Sequence, residues 1–160
     1  MQTHPLSVQI SRGLIDMAYM DAAKTDDWAT PQTFFDELND KYRFTLDVAA
    51  SSTNHKCQDW FGLDHPDITR RDGLKAEWSG HVWCNPPYGR VIADWVTKAY
   101  IYQGLSVLLL PARTDTRWFH DYCYMTGRTT VKFIKGRLKF GDGKAPAPFP
   151  SMLVIFHAKS

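Results

Sequence analysis

The chain has 160 residues, 44% of them hydrophobic and 14% aromatic, and a formal net charge of +2. This composition excludes a disordered chain and allows one domain with a substantial core, and no apolar run approaches the roughly 20 residues that span a bilayer. Residues 1–10 lack a charged segment followed by an apolar one, so no secretory signal is expected, and three scattered cysteines form no disulfide framework. Together these features point to the cytoplasm.

Residues 1–26 show no clear period and are expected to form an N-terminal arm, with a single domain over 27–160. Thr30 suits a helix N-cap and Pro31 the first helical position. Phe34, Leu38 and Tyr42 follow at four-residue spacing, predicting a helix to about Lys41. A strand is expected over 44–48, a short helix over 53–61, and a mostly irregular stretch over 62–73 with a short strand near Ile68-Thr69. His81-Val82-Trp83-Cys84 reads as a buried strand. Residues 91–102 are amphipathic, with Ile92, Trp95, Val96 and Ala99 on one side and Gly104 as a stop. The continuous apolar run 105–110 predicts a central parallel strand. A helix over 115–125 and strands over 130–140 and 151–156 complete the pattern. Strands alternating with helices predict an α/β fold with a doubly wound, mostly parallel sheet. The closing pair, with no helix between its strands, must be antiparallel.

Ligands of such sheets bind at the carboxyl ends of the strands. Asp47, Asn85 and Pro111-Ala112-Arg113 all fall there, and Asn85-Pro86-Pro87-Tyr88 is the most informative of these segments. Two prolines fix the backbone and remove two donors. The Asn85 side-chain oxygen and the Pro86 carbonyl can then accept from the two hydrogens of one exocyclic amine, while Tyr88 offers a face for stacking. The pattern suits methyl transfer to a planar amine.

Basic residues gather late in the chain: Lys132, Lys135, Arg137, Lys139 and Lys144 surround one acid, Asp142. Arg90, Arg113 and Arg117 follow predicted strand ends, where they can meet phosphates. Charge alone is equally an ordinary solvated face. The pairs His55/Cys57, His81/Cys84 and His120/Cys123 hold ligand types that zinc uses. Cys84 in a buried strand and Cys123 on a helix face argue against a metal site.

A set of motifs in order narrows the reading: Asp27-Trp28-Ala29-Thr30-Pro31, Leu46-Asp47-Val48-Ala49-Ala50-Ser51, Asp72-Gly73-Leu74, Asn85-Pro86-Pro87-Tyr88-Gly89, Pro111-Ala112-Arg113-Thr114-Asp115-Thr116-Arg117 and Lys135-Gly136-Arg137-Leu138-Lys139-Phe140. Across about residues 26–157 it resembles the phage and prophage DNA N6-adenine methyltransferases of the Dam type, class I enzymes dependent on S-adenosylmethionine. The resemblance implies a Rossmann-like methyltransferase fold and double-stranded DNA as partner, with GATC as the first target to consider and a monomer as the acting form. It implies cofactor contacts from Trp28, Thr30 and Pro31 over the methionine end, from Asp47, Ala49 and Ala50 beneath it, and from Asp72, Gly73 and Leu74 at the adenine. Asn85, Pro86, Pro87 and Tyr88 would be catalytic, with Asn85 also near the cofactor. DNA contacts would come from Arg90, Arg113, Arg117, Arg137 and Lys144.

The sequence departs from the family pattern at Ala49 and Ala50, which stand where many methyltransferases keep glycines. Asp59, Asp64 and Asp67 are all candidates for the acid that grips the cofactor ribose, and no separate target-recognition domain fits. Two other functions stay open: methylation of RNA adenine or protein glutamine, and a nucleic-acid-binding module that has lost catalysis.

Overall fold

In the computed structural model, residues 29–141 and 146–160 are described. The proposed arm, Trp28 and Lys144 lie outside them. Helix α1 (Gln32–Tyr42) ends where Arg43 turns left-handed (φ 55°) and donates its N–H to Asn39 O, while Asn39 Oδ1 accepts from Phe44 N–H at 2.9 Å. The cap is displaced by one residue from expectation. Pro31 itself holds the cap position and no side chain caps the helix. Thr30, as the residue before a proline, is biased to extended backbone, and its hydroxyl is used elsewhere.

Strand β1 (Leu46–Asp47) is shorter than the expected 44–48, yet Thr45 N–H to His81 O and Val48 N–H to Trp83 O prolong its pairing at both ends. The helix expected over 53–61 does not form. Serine, threonine and asparagine there turn the chain with their own side chains: Ser51 N–H donates to Asn54 Oδ1, and Ser52 donates both N–H and hydroxyl to Asp64. Such local bonds compete with helix formation, and strand β2 (Asp59–Trp60) follows instead. Ile68–Arg70 is a 3-10 turn, not a strand, because Asp67 Oδ1 accepts from Thr69 N–H at 2.9 Å.

Next come β3 (Val82–Cys84), α2 (Ile92–Ile101) and β4 (Ser106–Pro111), close to expectation. In place of a regular helix over 115–125, Phe119–Cys123 is a wide π-type turn. Strand β5 (Thr129–Phe133) stops well before Phe140, whereas β6 (Ser151–Phe156) has the expected bounds. Among the described residues these strands form one mixed sheet in the order β2-β1-β3-β4-β6-β5. The first four are parallel, and β6 runs antiparallel between β4 and β5. Because β2 and β3 leave β1 on opposite sides, a crevice opens at the carboxyl ends of β1 and β3.

Strand alternation builds two cores. Val82, Cys84, Leu108, Leu110, Met152, Val154 and Phe156 face α2 residues Ile92, Trp95, Val96 and Ala99. Trp83, Val107, Leu109, Leu153 and Ile155 face Phe35 of α1. A sheet buried on both faces needs continuous apolar strands, and 107–110 is one. Among the described residues, no helix is long and apolar enough to cross a membrane.

Arg128 ties the frame together at the opposite edge from the crevice. Its guanidinium donates to the carbonyls of Ala99, Tyr100, Tyr102 and Gly104, and its Nε to His157 O at 2.9 Å. A cation at the last carbonyls of α2 also opposes the helix dipole. Burial holds its pKa below the ordinary arginine value. We expect Arg128→Met to cost about 2 kcal/mol and lower Tm by roughly 4–8 °C, because the carbonyls lose their donors. Thermal unfolding followed by circular dichroism checks this.

Candidate active site

Asn85 leaves the carboxyl end of β3, with Pro86 buried and Pro87 and Tyr88 half-buried. Its Nδ2 donates to Thr30 Oγ1 at 3.1 Å, across 55 positions of sequence. Thr30 is buried and held from both sides: Gly141 N–H donates to Ala29 O at 3.0 Å, and Phe35 N–H donates to Pro31 O as α1 begins. Tyr88 meets Phe140 and Phe149 edge to face, at ring distances of 6.3 and 5.2 Å, and packs against both cores. Burial pushes the Tyr88 hydroxyl far above its ordinary pKa, with Arg113 opposing the shift. The phenol therefore stays protonated, and no base is built there. Phe149 was not picked out by sequence, and Phe140 only as the end of a motif and of an expected strand, without its packing on Tyr88; an aromatic beside a Gly/Pro-rich loop was the available signal.

The second half of the site lies over β1. Asp47 is buried, and each of its oxygens accepts a backbone N–H: Oδ1 from Ala49 at 3.4 Å and Oδ2 from Lys56 at 2.9 Å. Burial raises its pKa from an ordinary 3.8 to about 6, against those two bonds and the nearby His55 and Lys56 charges. The carboxylate thus staples the turn after β1, and Lys56 Nζ joins that turn to Gln32 of α1.

The missing glycines have counterparts in neighbouring segments. A Cβ at Gly62 would lie 1.9 Å from Ala50 O, and one at Gly73 would lie 1.9 Å from Val48 O. Glycine on the approaching segments, and not on the β1 turn, permits the close backbone approach. Gly73 brings Asp72 and Leu74 over the end of β1. Asp72 Oδ1 accepts from Leu74 N–H at 2.9 Å, Trp78 Nε1 donates to Gly73 O at 2.8 Å, and Lys98 Nζ reaches Leu74 O at 2.7 Å. Two carboxyl groups, Asp47 and Asp72, thus flank the crevice, beside the segment carrying Asn85. These acceptors fit a group with an ammonium at one end and an aminopurine at the other.

The family model for DNA N-6-adenine-methyltransferase (Dam) matches residues 18–158. The chain belongs to this family. A curated Dam relative, the DNA N-6-adenine-methyltransferase of Escherichia phage T1, is 31% identical over 102 residues, covering 62% of this chain. The match spans 41% of that relative's length.

Within the Dam-family chain, the remaining predicted residues fall on one edge. Arg90 follows Tyr88, and Arg113 and Arg117 follow β4. Arg137 lies between β5 and β6; since β6 is antiparallel to both β4 and β5, that loop shares the edge of the β4 carboxyl end. All four are exposed. Of the ribose candidates, Asp59 starts β2 and so sits at its amino end, opposite to expectation, where it meets Arg70 at 3.8 Å. Asp64 lies past the carboxyl end but accepts from Ser52, and Asp67 caps a turn. The paired histidines engage main chain: His55 Nδ1 lies 2.7 Å from Cys57 O, His81 Nδ1 from Tyr42 O and His120 Nε2 from Thr114 O. Cys84 and Cys123 are buried, and burial raises both thiols.

Two outcomes follow. Gly73→Ala forces its Cβ onto Val48 O, so it should lower Tm and weaken cofactor binding together, as read by melting and calorimetry. Asp47 holds its proton to a higher pH when folded than unfolded, so its contribution to stability declines as pH rises from about 4 to about 6 and is level above. Asp47→Asn cannot titrate, so the stability difference between it and the parent should change in the parent's disfavour over that window; urea midpoints at pH 4, 5, 6 and 7 measure it.

Proposed function

We propose that this chain is a DNA adenine N6-methyltransferase using S-adenosylmethionine, acting as a monomer in the bacterial host cytoplasm. The observation that carries this is the Asn85-Pro86-Pro87-Tyr88 segment at the end of β3, beside the Asp47 and Asp72 carboxyl groups, in a chain of the Dam family. The strand order supports a doubly wound, Rossmann-like methyltransferase architecture. When bound, the cofactor supplies an electrophilic methyl on a sulfonium.

The chain's own residues do the rest. Asp47, with the Ala49 and Ala50 backbone, would sit beneath the methionine end, and Pro31 would close over it. Asp72, Gly73 and Leu74 take the adenosine end. Adenine N6 is a poor nucleophile because its lone pair is delocalised into the ring. Asn85 Oδ1 and the Pro86 carbonyl, as two acceptors, would hold both N–H groups, favour a pyramidal nitrogen and stabilise the positive charge that grows there during attack. These residues would hold the amine against the methyl, whose transfer would leave the sulfonium as a neutral thioether as the new bond to nitrogen forms, and the surplus N6 proton would pass to water.

A base inside a duplex cannot reach this arrangement, so the adenine flips out and meets Tyr88, at a cost of a few kcal/mol. Arg90, Arg113, Arg117 and Arg137, with Lys144, would hold the phosphates around it. GATC is the proposed target sequence.

Incubation with tritiated S-adenosylmethionine and unmethylated DNA, RNA or protein tests the reading. Label should appear in DNA as N6-methyladenine. Label confined to RNA or protein would move the substrate, and none anywhere would favour a binding module. Asn85→Ala should lower kcat by about 10²–10³-fold while cofactor binding persists; near-normal turnover would remove Asn85 from the mechanism.

A further inference from the structure

We infer that Thr30 is a positioning residue for Asn85: its hydroxyl holds the Asn85 amide in the plane that presents Oδ1 to the target amine. The inference rests on the proposed methylation of adenine and reassigns a residue that the family pattern associates with the cofactor.

The two ends of an asparagine amide are nearly equal in shape and opposite in hydrogen bonding. Rotating the amide by half a turn would exchange an acceptor for a donor at the site. A donor facing an exocyclic amine meets that amine's own hydrogens, so the stabilisation of developing charge is lost. Asn85 therefore needs a restraint on the side away from the substrate. Thr30 provides it: Nδ2 donates to Thr30 Oγ1 at 3.1 Å, and in this arrangement Oδ1 lies on the other side of the amide, which the bond holds in place.

The partner is itself firmly set. Thr30 is buried, and Pro31 biases its backbone to the extended region. The Gly141 to Ala29 bond and the start of α1 fix it fore and aft. Pro31 at the cap position, without a side-chain cap, fits the same account, because the threonine hydroxyl is turned to Asn85 and not to α1.

Two variants separate this role from a cofactor role. Thr30→Val keeps the shape and removes the hydroxyl; Thr30→Ser keeps the hydroxyl. On unmethylated DNA at saturating cofactor, Thr30→Val should lower kcat by about tenfold or more, equivalent to about 1.4 kcal/mol in the barrier. The calorimetric Kd for S-adenosylmethionine should stay within about threefold, and Thr30→Ser should recover most of the rate, as expected when one hydrogen bond is restored. A weakened Kd with unchanged kcat would overturn the proposal and return the hydroxyl to the cofactor, and an unchanged kcat and Kd would overturn it outright.

A second measurement needs no turnover. In protein labelled with ¹⁵N-asparagine, the Asn85 Nδ2 proton bonded to Thr30 should exchange slowly in the parent and in Thr30→Ser but quickly in Thr30→Val. Fast exchange in the parent would show that the bond is absent, whatever the substrate. If the parent labels no adenine, the proposed function fails while this exchange pattern still decides whether Thr30 orients Asn85.

Discussion

Close backbone approach at the carboxyl end of β1 is the constraint on which the rest of the site depends. Two neighbouring segments press against the carbonyls of Val48 and Ala50, so tightly that neither Gly73 nor Gly62 has room for a Cβ. That contact draws the Asp72 turn and the end of β2 over the strand, and Asp47 then closes the turn from beneath by accepting two backbone N–H groups. Burying a carboxyl group there is unfavourable to its charged form. The structure accepts that in exchange for a turn whose orphan donors are satisfied.

The same geometry explains why Ala49 and Ala50 are tolerated where many methyltransferases keep glycine. Requirement for a missing side chain attaches to whichever backbone is the intruder. Here the intruders are the segments at 62 and 73, so the β1 turn can carry methyl groups. Lys98 and Trp78 then hold the Asp72 turn from α2 and from the chain beyond it, binding its carbonyls and leaving its side chains directed by the fold.

Much of this was legible in the sequence. The apolar strands and the amphipathic α2 stood out because burial on both faces and helical spacing leave clear patterns, and Asn85-Pro86-Pro87-Tyr88 marked the site by its unusual composition. What escaped is what sequence period does not encode. The stretch 53–61 was expected as a helix, but Asn54 bonds back to Ser51, Ser52 just before it bonds to Asp64, and Lys56 N–H bonds to Asp47. The 115–125 segment kept its position and lost its regular hydrogen bonding. Arg128 carried no signal in the sequence, because its carbonyl partners lie at the end of α2 and just beyond it, which only the fold brings to it. Phe149 lay in a loop with no period to give it a direction, and Phe140 was expected at the end of a strand that in fact stops at Phe133.

Tyr88 stands where the two cores meet. Most side chains of a layered α/β protein belong to one face of the sheet, and a repacking on that face leaves the other undisturbed. A ring in contact with both loses that independence. Substitutions around α1 or around α2 therefore converge on the same few atoms, so drift in the hydrophobic interior of this chain is restrained by the chemistry at its edge. Variation should accumulate most easily at the exposed Arg90, Arg113, Arg117 and Arg137, whose side chains are not packed into either core.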